Sequence, residues 1–335
     1  MEELLNIIKN FKNPKVLVVG DIMLDEYVWG DVTRISPEAP IPVLEVKEVT
    51  YTPGGAANTA NNLKALRGEV ILAGVIGPED KGKLLKEILE KRGINTEGIF
   101  VDQKRKTTLK TRAVARNQQL VRIDSEDRNP LNQEIEDRIL NFIKRQIKET
   151  NFIIISDYAK GVITQNLSKK IIALANQNNV LCLVDPKGND YLKYKNCKII
   201  TPNGKELAQA LNLQIEQIET ESKFLQAGKM LLSHVMCDNV LVTRGAQGMT
   251  LFGRDGNVDC MPALNKKAID VSGAGDTAVA TFALALAAGA NPKQAMIIAS
   301  HACTIVVGKV GTAVASPEEL EENLRNSLIY EKKQD

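Results

Sequence analysis

Short apolar runs alternate with longer amphipathic segments along most of the chain. The runs are rich in β-branched residues and lack polar alternation, which is typical of strands buried on both faces of a sheet. They span residues 16–20, 70–75, 152–156, 181–185, 198–202 and 240–243. Segments with helical periodicity span residues 57–67, 80–92, 132–148, 165–178, 204–211 and 217–233. This alternation predicts an α/β protein whose parallel sheet is covered by helices on both sides.

Two pairs of apolar segments have no helix between their members. Residues 27–33 are followed by 42–50, and residues 107–115 by 120–124. We expect antiparallel strands that join in a small sheet, or lid, standing off the main part of the domain. Bare sheet edges and apolar faces are often covered by a partner subunit. The sequence therefore predicts one domain over residues 1–335 with a lid from about residues 27–50 and 107–124, and favours a homodimer formed through the lid.

Composition and charge exclude several classes of function. The chain has 335 residues, with 43 Lys and Arg against 41 Asp and Glu, and this balance argues against bulk binding of nucleic acid or a membrane surface. Its 5 cysteines are scattered, which argues against a disulfide framework or a zinc site. The longest apolar helical run, residues 278–290, is shorter than the roughly 18 residues of a membrane span. We expect a cytoplasmic protein.

Residues 270–277, with the sequence Asp-Val-Ser-Gly-Ala-Gly-Asp-Thr, carry the strongest chemical signal. They precede an alanine-rich run that is predicted to be helical. Glycines at a helix start let the backbone approach a ligand, and the first-turn N–H groups bind anions such as phosphate. Asp276 would repel a resting phosphate, so it is better explained as a proton acceptor beside the transferred group. A helix N-cap is the structural alternative.

The carboxyl ends of five predicted strands supply polar residues. Those ends read Gly20-Asp21, Ser156-Asp157, Asp185-Pro186-Lys187, Pro202-Asn203 and Thr243-Arg244-Gly245. Ligands of open parallel sheets bind beyond this edge. Each of these residues alone could simply end a strand, but together they favour a crevice for a polar, phosphorylated ligand.

The sequence does not match two other nucleotide-binding motifs. Residues 77–84 have the spacing of a P-loop, but Leu84 stands where a Ser or Thr must bind magnesium. No Gly-x-Gly-x-x-Gly follows the first strand, which argues against a nicotinamide dehydrogenase. The isolated His301 is a candidate for contact with a nucleotide base, with a structural role as its alternative.

Two motifs resemble the paired signatures of the ribokinase-like (PfkB) carbohydrate kinases. One is Pro-Gly-Gly-Ala-Ala-Asn-Thr-Ala at residues 53–60, and the other is the segment at residues 270–277. The resemblance spans roughly residues 14–319 and implies a three-layer α/β/α sandwich with a mostly parallel central sheet and a small antiparallel β lid. Further stretches resemble the branch of the family that phosphorylates a heptose 7-phosphate: residues 20–25, 34–40, 116–120, 156–161 and 185–188. Since the chain ends where that kinase unit ends, we expect the stand-alone form of the enzyme.

The resemblance implies roles at the phosphate side of the site. Asp276 would be the general base, while the N–H groups of Gly273, Ala274 and Gly275 would stabilise the transferred phosphoryl. ATP and Mg²⁺ are the implied cofactors, with Asn203 and Glu206 near the magnesium through water. Glu206 has an alternative role as a first-turn acid that complements a helix dipole. The implied nucleotide-binding residues are Asn203, Glu206, Thr243, Arg244, Gly245, Gly248, Lys187 and His301.

The sugar side is assigned in the same way. The implied contacts to the sugar are Asp21, Asp25, Gly54, Gly55, Asn58 and Asp157. A substrate that already carries phosphate also needs cations, for which the candidates are Lys110, Arg112, Arg116, Lys160 and Lys187. Val271-Ser272 departs from the threonines of many relatives. A monovalent-cation (K⁺) site, which would need Asp270 and carbonyls near residues 308–312, is left open.

The resemblance implies transfer of the γ-phosphate of ATP to the anomeric hydroxyl of a heptose 7-phosphate. The 1,7-bisphosphate product would feed the synthesis of nucleotide-activated heptose for surface glycans. One alternative is a kinase for ribose, fructose or fructose 1-phosphate. A catalytically silent sugar-binding regulator on the same fold is the other, and an intact Asp276 argues against it.

Overall fold

A computed structural model describes residues 2–116, 118–264 and 268–331. The strands formed by these residues are β1 (Lys15–Gly20), β2 (Ile22–Ile35), β3 (Pro42–Gly55), β4 (Glu69–Ile76), β5 (Asn95–Val101), β6 (Thr108–Ala115), β7 (Gln118–Ser125), β8 (Phe152–Ser156), β9 (Leu181–Asp185), β10 (Ile199–Ile200), β11 (Asn239–Thr243), β12 (Met249–Gly253) and β13 (Val258–Met261). The α-helices are α1 (Glu2–Lys9), α2 (Ala56–Ala65), α3 (Asp80–Lys91), α4 (Gln133–Gln146), α5 (Gln165–Gln177), α6 (Gly204–Ala210), α7 (Glu221–Val235), α8 (Ala274–Ala287), α9 (Pro292–Val306) and α10 (Pro317–Glu331).

The large sheet has the strand order β13-β12-β11-β10-β9-β8-β1-β4-β5. Its strands run parallel from β11 to β5, whereas β12 and β13 are antiparallel additions at one edge. Successive residues of β1 point to opposite faces of the sheet. Val16 and Val18 pack into a core with α2, α8 and α9, while Leu17 and Val19 pack into a second core with α4, α5 and α7. The predicted sheet with helices on both faces is therefore confirmed.

The small sheet has the order β3-β2-β6-β7. The β2–β3 and β6–β7 pairs are antiparallel, and β2 and β6 run parallel. Only Asp21 separates β1 from β2, and β3 runs directly into α2. Two strands of the small sheet are therefore continuous with elements of the main domain. The α/β fold with a second, smaller sheet agrees with the predicted fold class.

The structure differs from the predicted elements at several boundaries. Helix α8 begins four residues before the predicted start, because Gly273 adopts the left-handed conformation (φ 77°) and serves as its N-cap. Three strands near the ends of the strand order, β5, β12 and β13, lie outside the predicted runs; the two edge strands, β5 and β13, mix polar with apolar residues. No helix in the part of the chain that the structure describes is both long and apolar enough to cross a membrane.

Candidate active site

The two glycine-containing motifs meet where α2 passes the N-terminus of α8. Thr277 Oγ1 on α8 donates a hydrogen bond to Asn62 Oδ1 on α2 at 2.7 Å. A Cβ atom at Gly273 would lie 2.9 Å from Asn58 Nδ2, so a side chain there would displace the Asn58 amide. Glycine thus permits both the positive φ of the cap and the close approach of α2.

Asp276 lies in the first turn of α8 and is 6% exposed. Its Oδ2 accepts a hydrogen bond from Asn58 Nδ2 at 2.7 Å. Its Oδ1 accepts one from Tyr158 OH at 2.5 Å and one from Thr59 Oγ1 at 3.2 Å. Burial raises the pKa of the Asp276 carboxyl, and these donors partly offset the rise. Since Gly273 is the N-cap, the carboxylate interacts with neighbouring elements instead of capping its own helix.

The backbone at the start of α8 only partly matches the predicted phosphate site. The N–H of Ala274 donates to Val271 O at 3.2 Å, so it already has an internal acceptor. Gly275 faces open space, since a Cβ built there meets no described heavy atom within 4 Å. It lines both of the cavities described next. Gly275 is therefore the member of the glycine pair that a ligand can approach.

A cavity of about 150 Å³ lies at the carboxyl ends of β8, β9 and β11. Four carboxylates line it, from Asp157, Asp185, Glu206 and Asp276, together with the ammonium of Lys187. Burial, and then the charges of Asp276 and Glu206, raise the pKa of Asp185 well above its ordinary value. Because four carboxyl groups surround a single ammonium group, we call this space the acidic cavity. A phosphate chain would enter it with bound cations.

Asn203 and Glu206 begin α6 as a capping box. Asn203 Oδ1 accepts a hydrogen bond from Glu206 N at 3.0 Å, and Glu206 Oε2 accepts one from Asn203 N at 2.9 Å. The other carboxylate oxygen of Glu206 pairs with Lys187 Nζ at 2.7 Å. Glu206 thus has the first-turn position of its structural alternative, and it lines the acidic cavity at the same time. Within the described residues, no group of three or more His, Cys, Asp or Glu side chains is arranged to hold a metal.

A second, more apolar cleft of about 500 Å³ adjoins the acidic cavity. Asn203, Thr243, Gly275 and Ala278 line both spaces, so one ligand can reach from one into the other. The remaining walls come from Gly245, Ala246, Gly248, Met249, Ala263, Leu264, Ala268, Val271, Ala274, Ser300, Cys303, Thr304 and Val307. An apolar cleft beside a small polar cavity is the combination that a nucleotide base and its phosphates require.

Arg244 lies beside this cleft but is held by α7. Its guanidinium pairs with Glu221 at 2.7 Å and stacks 3.9 Å from the centre of the Phe224 ring. It lines a neighbouring pocket with Asn203 and Gly245. Arg244 is therefore a rim residue already anchored by an ion pair and a cation–π contact.

His301 is not among the residues that line the cleft. Its Nδ1 is 2.7 Å from Asn323 Oδ1 on α10, and its side chain is buried. The cleft is lined from the same helix by Ser300, Cys303 and Thr304. His301 Nδ1 therefore faces α10, and contact between His301 and a nucleotide base stays a prediction.

The inner end of the small sheet brings several predicted sugar contacts together. Arg112 on β6 pairs with Asp25 on β2 through Nη1 and Oδ1 at 2.6 Å. A Cβ atom at Gly54 would lie 2.7 Å from Asp25 Oδ2, and Gly55 has a φ of 55°. These glycines let β3 pass close to the ion pair before the chain enters α2. Asn58 follows on α2 and reaches Asp276.

Asp21 has partners that the sequence did not suggest. Its Oδ2 accepts hydrogen bonds from the N–H groups of Tyr158 at 2.7 Å and Lys160 at 3.1 Å, and its Oδ1 from that of Val162 at 3.1 Å. Burial, and then the charge of Asp157, raise the pKa of Asp21 to about 6. This loop engages both carboxylate oxygens, and a direct contact of Asp21 with the sugar stays a prediction.

The predicted phosphate-binding cations are already paired with acids. Lys110 lies 3.2 Å from Asp124 and 3.8 Å from Glu126, and Lys160 lies 2.6 Å from Glu126. A phosphate group would have to compete with Glu126 for both lysines. The structure brings Lys110 and Lys160 together around one carboxylate.

Arg116 and Asp157 are not part of this lysine cluster. Arg116 is exposed at the turn after β6, four residues beyond Arg112, or roughly 13 Å along the strand. Asp157 accepts hydrogen bonds from Lys193 Nζ at 2.5 Å, Tyr194 OH at 2.7 Å and Ala159 N at 2.7 Å. Asp157 therefore lines the acidic cavity as a carboxylate fixed by protein donors.

Two residues of the site were not among the predicted candidates. Tyr158 contacts Asp276 directly, and Asp185 lines the acidic cavity. Asp185 stands in one of the predicted strand ends, and Tyr158 directly follows another, Ser156-Asp157. The pattern gave no reason to choose them over their neighbours.

Comparison with known proteins links this geometry to a family. The profile described as "pfkB family carbohydrate kinase" matches residues 13–319. The "Bifunctional protein HldE" of Helicobacter pylori (strain J99) is 45% identical over 306 residues, which cover 91% of this chain and 65% of that protein. The protein of the same name from Desulfatibacillum aliphaticivorans is 44% identical over 95% of this chain and 65% of its own length. The chain therefore spans about two thirds of the length of these relatives.

Solved structures with low sequence identity share the fold. Ribokinase from Arabidopsis thaliana, complexed with ribose and ATP, superposes with a TM-score of 0.73 at 19% identity over 93% of this chain and 98% of that one. Phosphofructokinase-2 from Escherichia coli, in complex with potassium, gives 0.77 at 19% identity over 92% and 97%.

Proposed function

Because the chain belongs to the pfkB family of carbohydrate kinases, we propose that it transfers the γ-phosphate of ATP to the anomeric hydroxyl of a heptose 7-phosphate. The product would be the 1,7-bisphosphate. The sugar kinase class follows from the family, whereas the heptose is the proposed part. Five stretches that resemble the heptose branch support it, as does the similarity to HldE proteins.

One observation carries the mechanism: the Asp276 carboxylate lies between the sugar face of the small sheet and the acidic cavity. Asn58 joins it to the motif at the end of β3, and Gly275 beside it lines the space for phosphate. In the proposed reaction, Asp276 takes the proton of the anomeric hydroxyl as that oxygen attacks the γ-phosphorus. The bond from phosphorus to the ADP oxygen then breaks. This geometry supplies the positioning on which phosphoryl transfer depends.

The acidic cavity suits phosphates that carry Mg²⁺. Carboxylate oxygens such as those of Asp185 and Glu206 match the preference of this cation, directly or through water. Bound there, Mg²⁺ would offset the charge of the phosphates. Lys187 would add a point charge from the protein side.

A K⁺ site near Asp270 is a finer part of the proposal. The carboxylate of Asp270 accepts hydrogen bonds from Ser272 N at 2.8 Å and Gly311 N at 2.9 Å, which joins the two loops. We expect faster turnover in K⁺ than in Na⁺ at equal ionic strength. Equal initial rates in the two salts would remove this site.

The proposed homodimer contact is the outer face of the small sheet. Strand register aligns Val121, Ala113, Val28 and Val49 in one row across β7, β6, β2 and β3. Residues in one row share a face of the sheet. Val121 is 50% exposed and Val49 40% exposed. The opposite face carries Arg112 and the sugar contacts, so a partner on the apolar row would leave the substrate face open.

The proposal is tested by a substrate panel with ADP release as the readout. We expect the highest kcat/KM for heptose 7-phosphate over ribose, fructose and fructose 1-phosphate. Preference for an unphosphorylated sugar would overturn the heptose assignment and leave the kinase class intact.

The role of Asp276 is tested by the Asp276→Asn variant. We expect kcat to fall by about 10²–10⁴-fold, as is typical when a general base is removed, while nucleotide and sugar still bind in calorimetry. Asp80→Asn, at a side chain that is 98% exposed, is the matched control and should keep full activity. Full turnover by Asp276→Asn would contradict the assignment.

A further inference from the structure

The shortest contact to the Asp276 carboxylate comes from a residue outside both family motifs. Tyr158 follows β8, lines the acidic cavity and donates its hydroxyl to Asp276 Oδ1 at 2.5 Å. The other donor to that oxygen, Thr59 Oγ1, is at 3.2 Å. A short hydrogen bond to an ionised acceptor is the strong kind.

We propose that Tyr158 is a positioning residue for Asp276, whose hydroxyl holds the carboxylate ionised and directed at the sugar hydroxyl. This inference rests on the proposed role of Asp276 as the general base. Tyr158 acts through Asp276 and exchanges no proton with the sugar.

The chemistry of the donors distinguishes Tyr158 from Asn58. An amide NH₂ can only donate, whereas a hydroxyl can donate to a carboxylate and accept from a carboxylic acid. When Asp276 takes the sugar proton, the Tyr158 hydroxyl can rotate and accept the new O–H. Burial and the charge of Asp276 raise the pKa of Tyr158 well above its ordinary value, so the phenol keeps its own proton throughout.

The fold holds Tyr158 in place through its backbone. Asp21 Oδ2 accepts hydrogen bonds from Tyr158 N and Lys160 N. On the other side of the loop, Arg105 Nη1 donates to Lys160 O at 2.8 Å. The loop is therefore fixed through both its amide and its carbonyl groups. The buried Asp21 therefore acts indirectly, by holding the loop that carries Tyr158.

Other charged groups face Asp276 from neighbouring elements and also set its pKa. Asp25, on β2, raises it, and Asp185 on β9 shares the acidic cavity. Within the part of the chain that the structure describes, the charged groups facing this carboxylate are Asp25 with its partner Arg112, Asp157, Asp185, Glu206 and Lys187. All of them remain when only the Tyr158 hydroxyl is removed, so the substitution isolates its contribution.

The test is the pH profile of kcat/KM for Tyr158→Phe in the full chain. Losing one strong donor should move the acid limb to higher pH by about one unit, the equivalent of one hydrogen bond to a charged group. Tyr191→Phe is the matched control, since the buried Tyr191 hydroxyl has no hydrogen-bond partner within the described residues. It should leave the limb in place. A loss of rate at every pH, with the limb unmoved, would overturn the proposal.

Replacing Tyr158 by 3-fluorotyrosine keeps the side chain and makes its hydroxyl a stronger donor. The acid limb should then move to lower pH, opposite to the shift in Tyr158→Phe. An unchanged limb in this protein would count against the proposal even if Tyr158→Phe failed to fold.

A direct measurement separates this inference from the proposed function. The Asp276 carboxyl can be titrated by ¹³C NMR in aspartate-labelled protein and assigned with Asp276→Asn. We expect its pKa to rise in Tyr158→Phe and to stay in place in Tyr191→Phe. An unchanged pKa overturns the inference. Full turnover by Asp276→Asn overturns the base assignment, whatever the titration shows.

Discussion

At the scale of single residues, Asp21 and Asp276 show how partners distinguish two buried carboxylates. Asp21 accepts three backbone N–H groups, which the path of the chain fixes. Among the described residues, the donors to Asp276 are all side chains, and two of them are hydroxyls that can reverse their hydrogen bonds. The first arrangement holds a loop, and the second can respond to a moving proton.

The raised pKa of Asp21 predicts a pH dependence of stability. The folded-state pKa is about 6 against an ordinary 3.8, so the folded chain binds this proton more tightly than the unfolded chain. The contribution is therefore full below about pH 4 and is lost as pH rises through about 6, with a size on the order of 3 kcal/mol. Asp21→Asn should lack it.

The measurement is urea unfolding of both proteins between pH 4 and pH 7. The stability of the natural chain relative to Asp21→Asn should decline across this interval and level off above it. A difference between the two proteins that is constant with pH would contradict the prediction.

At the scale of elements, strands were easier to predict than the residues that act at their ends. Strands β8 and β9 match their predicted bounds because each is an unbroken apolar run. The start of α8 depends on the left-handed Gly273 and on packing against α2, which no local pattern encodes. The partners of Asp21 and Tyr158 arise from contacts 137 and 118 residues apart in the chain. The apolar runs therefore locate the edge of the sheet where the site lies, whereas the partners of each side chain at that edge depend on tertiary packing.

The start of α6 allows a cap to be separated from a ligand contact. Glu206→Gln keeps an acceptor for Asn203 N, and Gln also serves in capping boxes, but it removes the charge beside Lys187. We expect the unfolding free energy to change by less than about 0.5 kcal/mol, while KM for Mg-ATP rises about tenfold, as for other groups around a metal.

Asn203→Ala is the complementary variant at the cap itself. It should cost about 1 kcal/mol of stability. Both quantities come from urea unfolding and initial-rate kinetics on the same preparations. If Glu206→Gln leaves KM for Mg-ATP unchanged, Glu206 is a cap alone.

At the scale of the whole molecule, the small sheet has one charged face and one apolar face. The face with Asp25 and Arg112 points toward Asp276, and the face with Val28, Val49 and Val121 is exposed. The two pairs of apolar segments with no helix between their members predicted this sheet from sequence. The parallel β2–β6 pair was not foreseen, because β2 and β6 are far apart in sequence and nothing local sets their direction.

The exposed row predicts the effect of a charge on association. Val121→Lys would bury an ammonium in the proposed dimer contact and should raise the dimer dissociation constant at least about tenfold, or 1.4 kcal/mol. Met230→Lys on α7 is the control, since Met230 is similarly exposed at 48%. Sedimentation velocity over a concentration series measures both. Monomeric natural protein, or equal association of both variants, would dismiss the contact.

The small sheet is joined to the main domain without linkers, so its movements are coupled to those of the main domain. Strand β3 passes without a linker into α2, which carries Asn58 and Thr59. A sugar that tilts the strands must also turn this helix, and with it two of the donors around Asp276. We expect the binding of an acceptor to be transmitted in this way to the proposed base, as a movement of its hydrogen-bond donors.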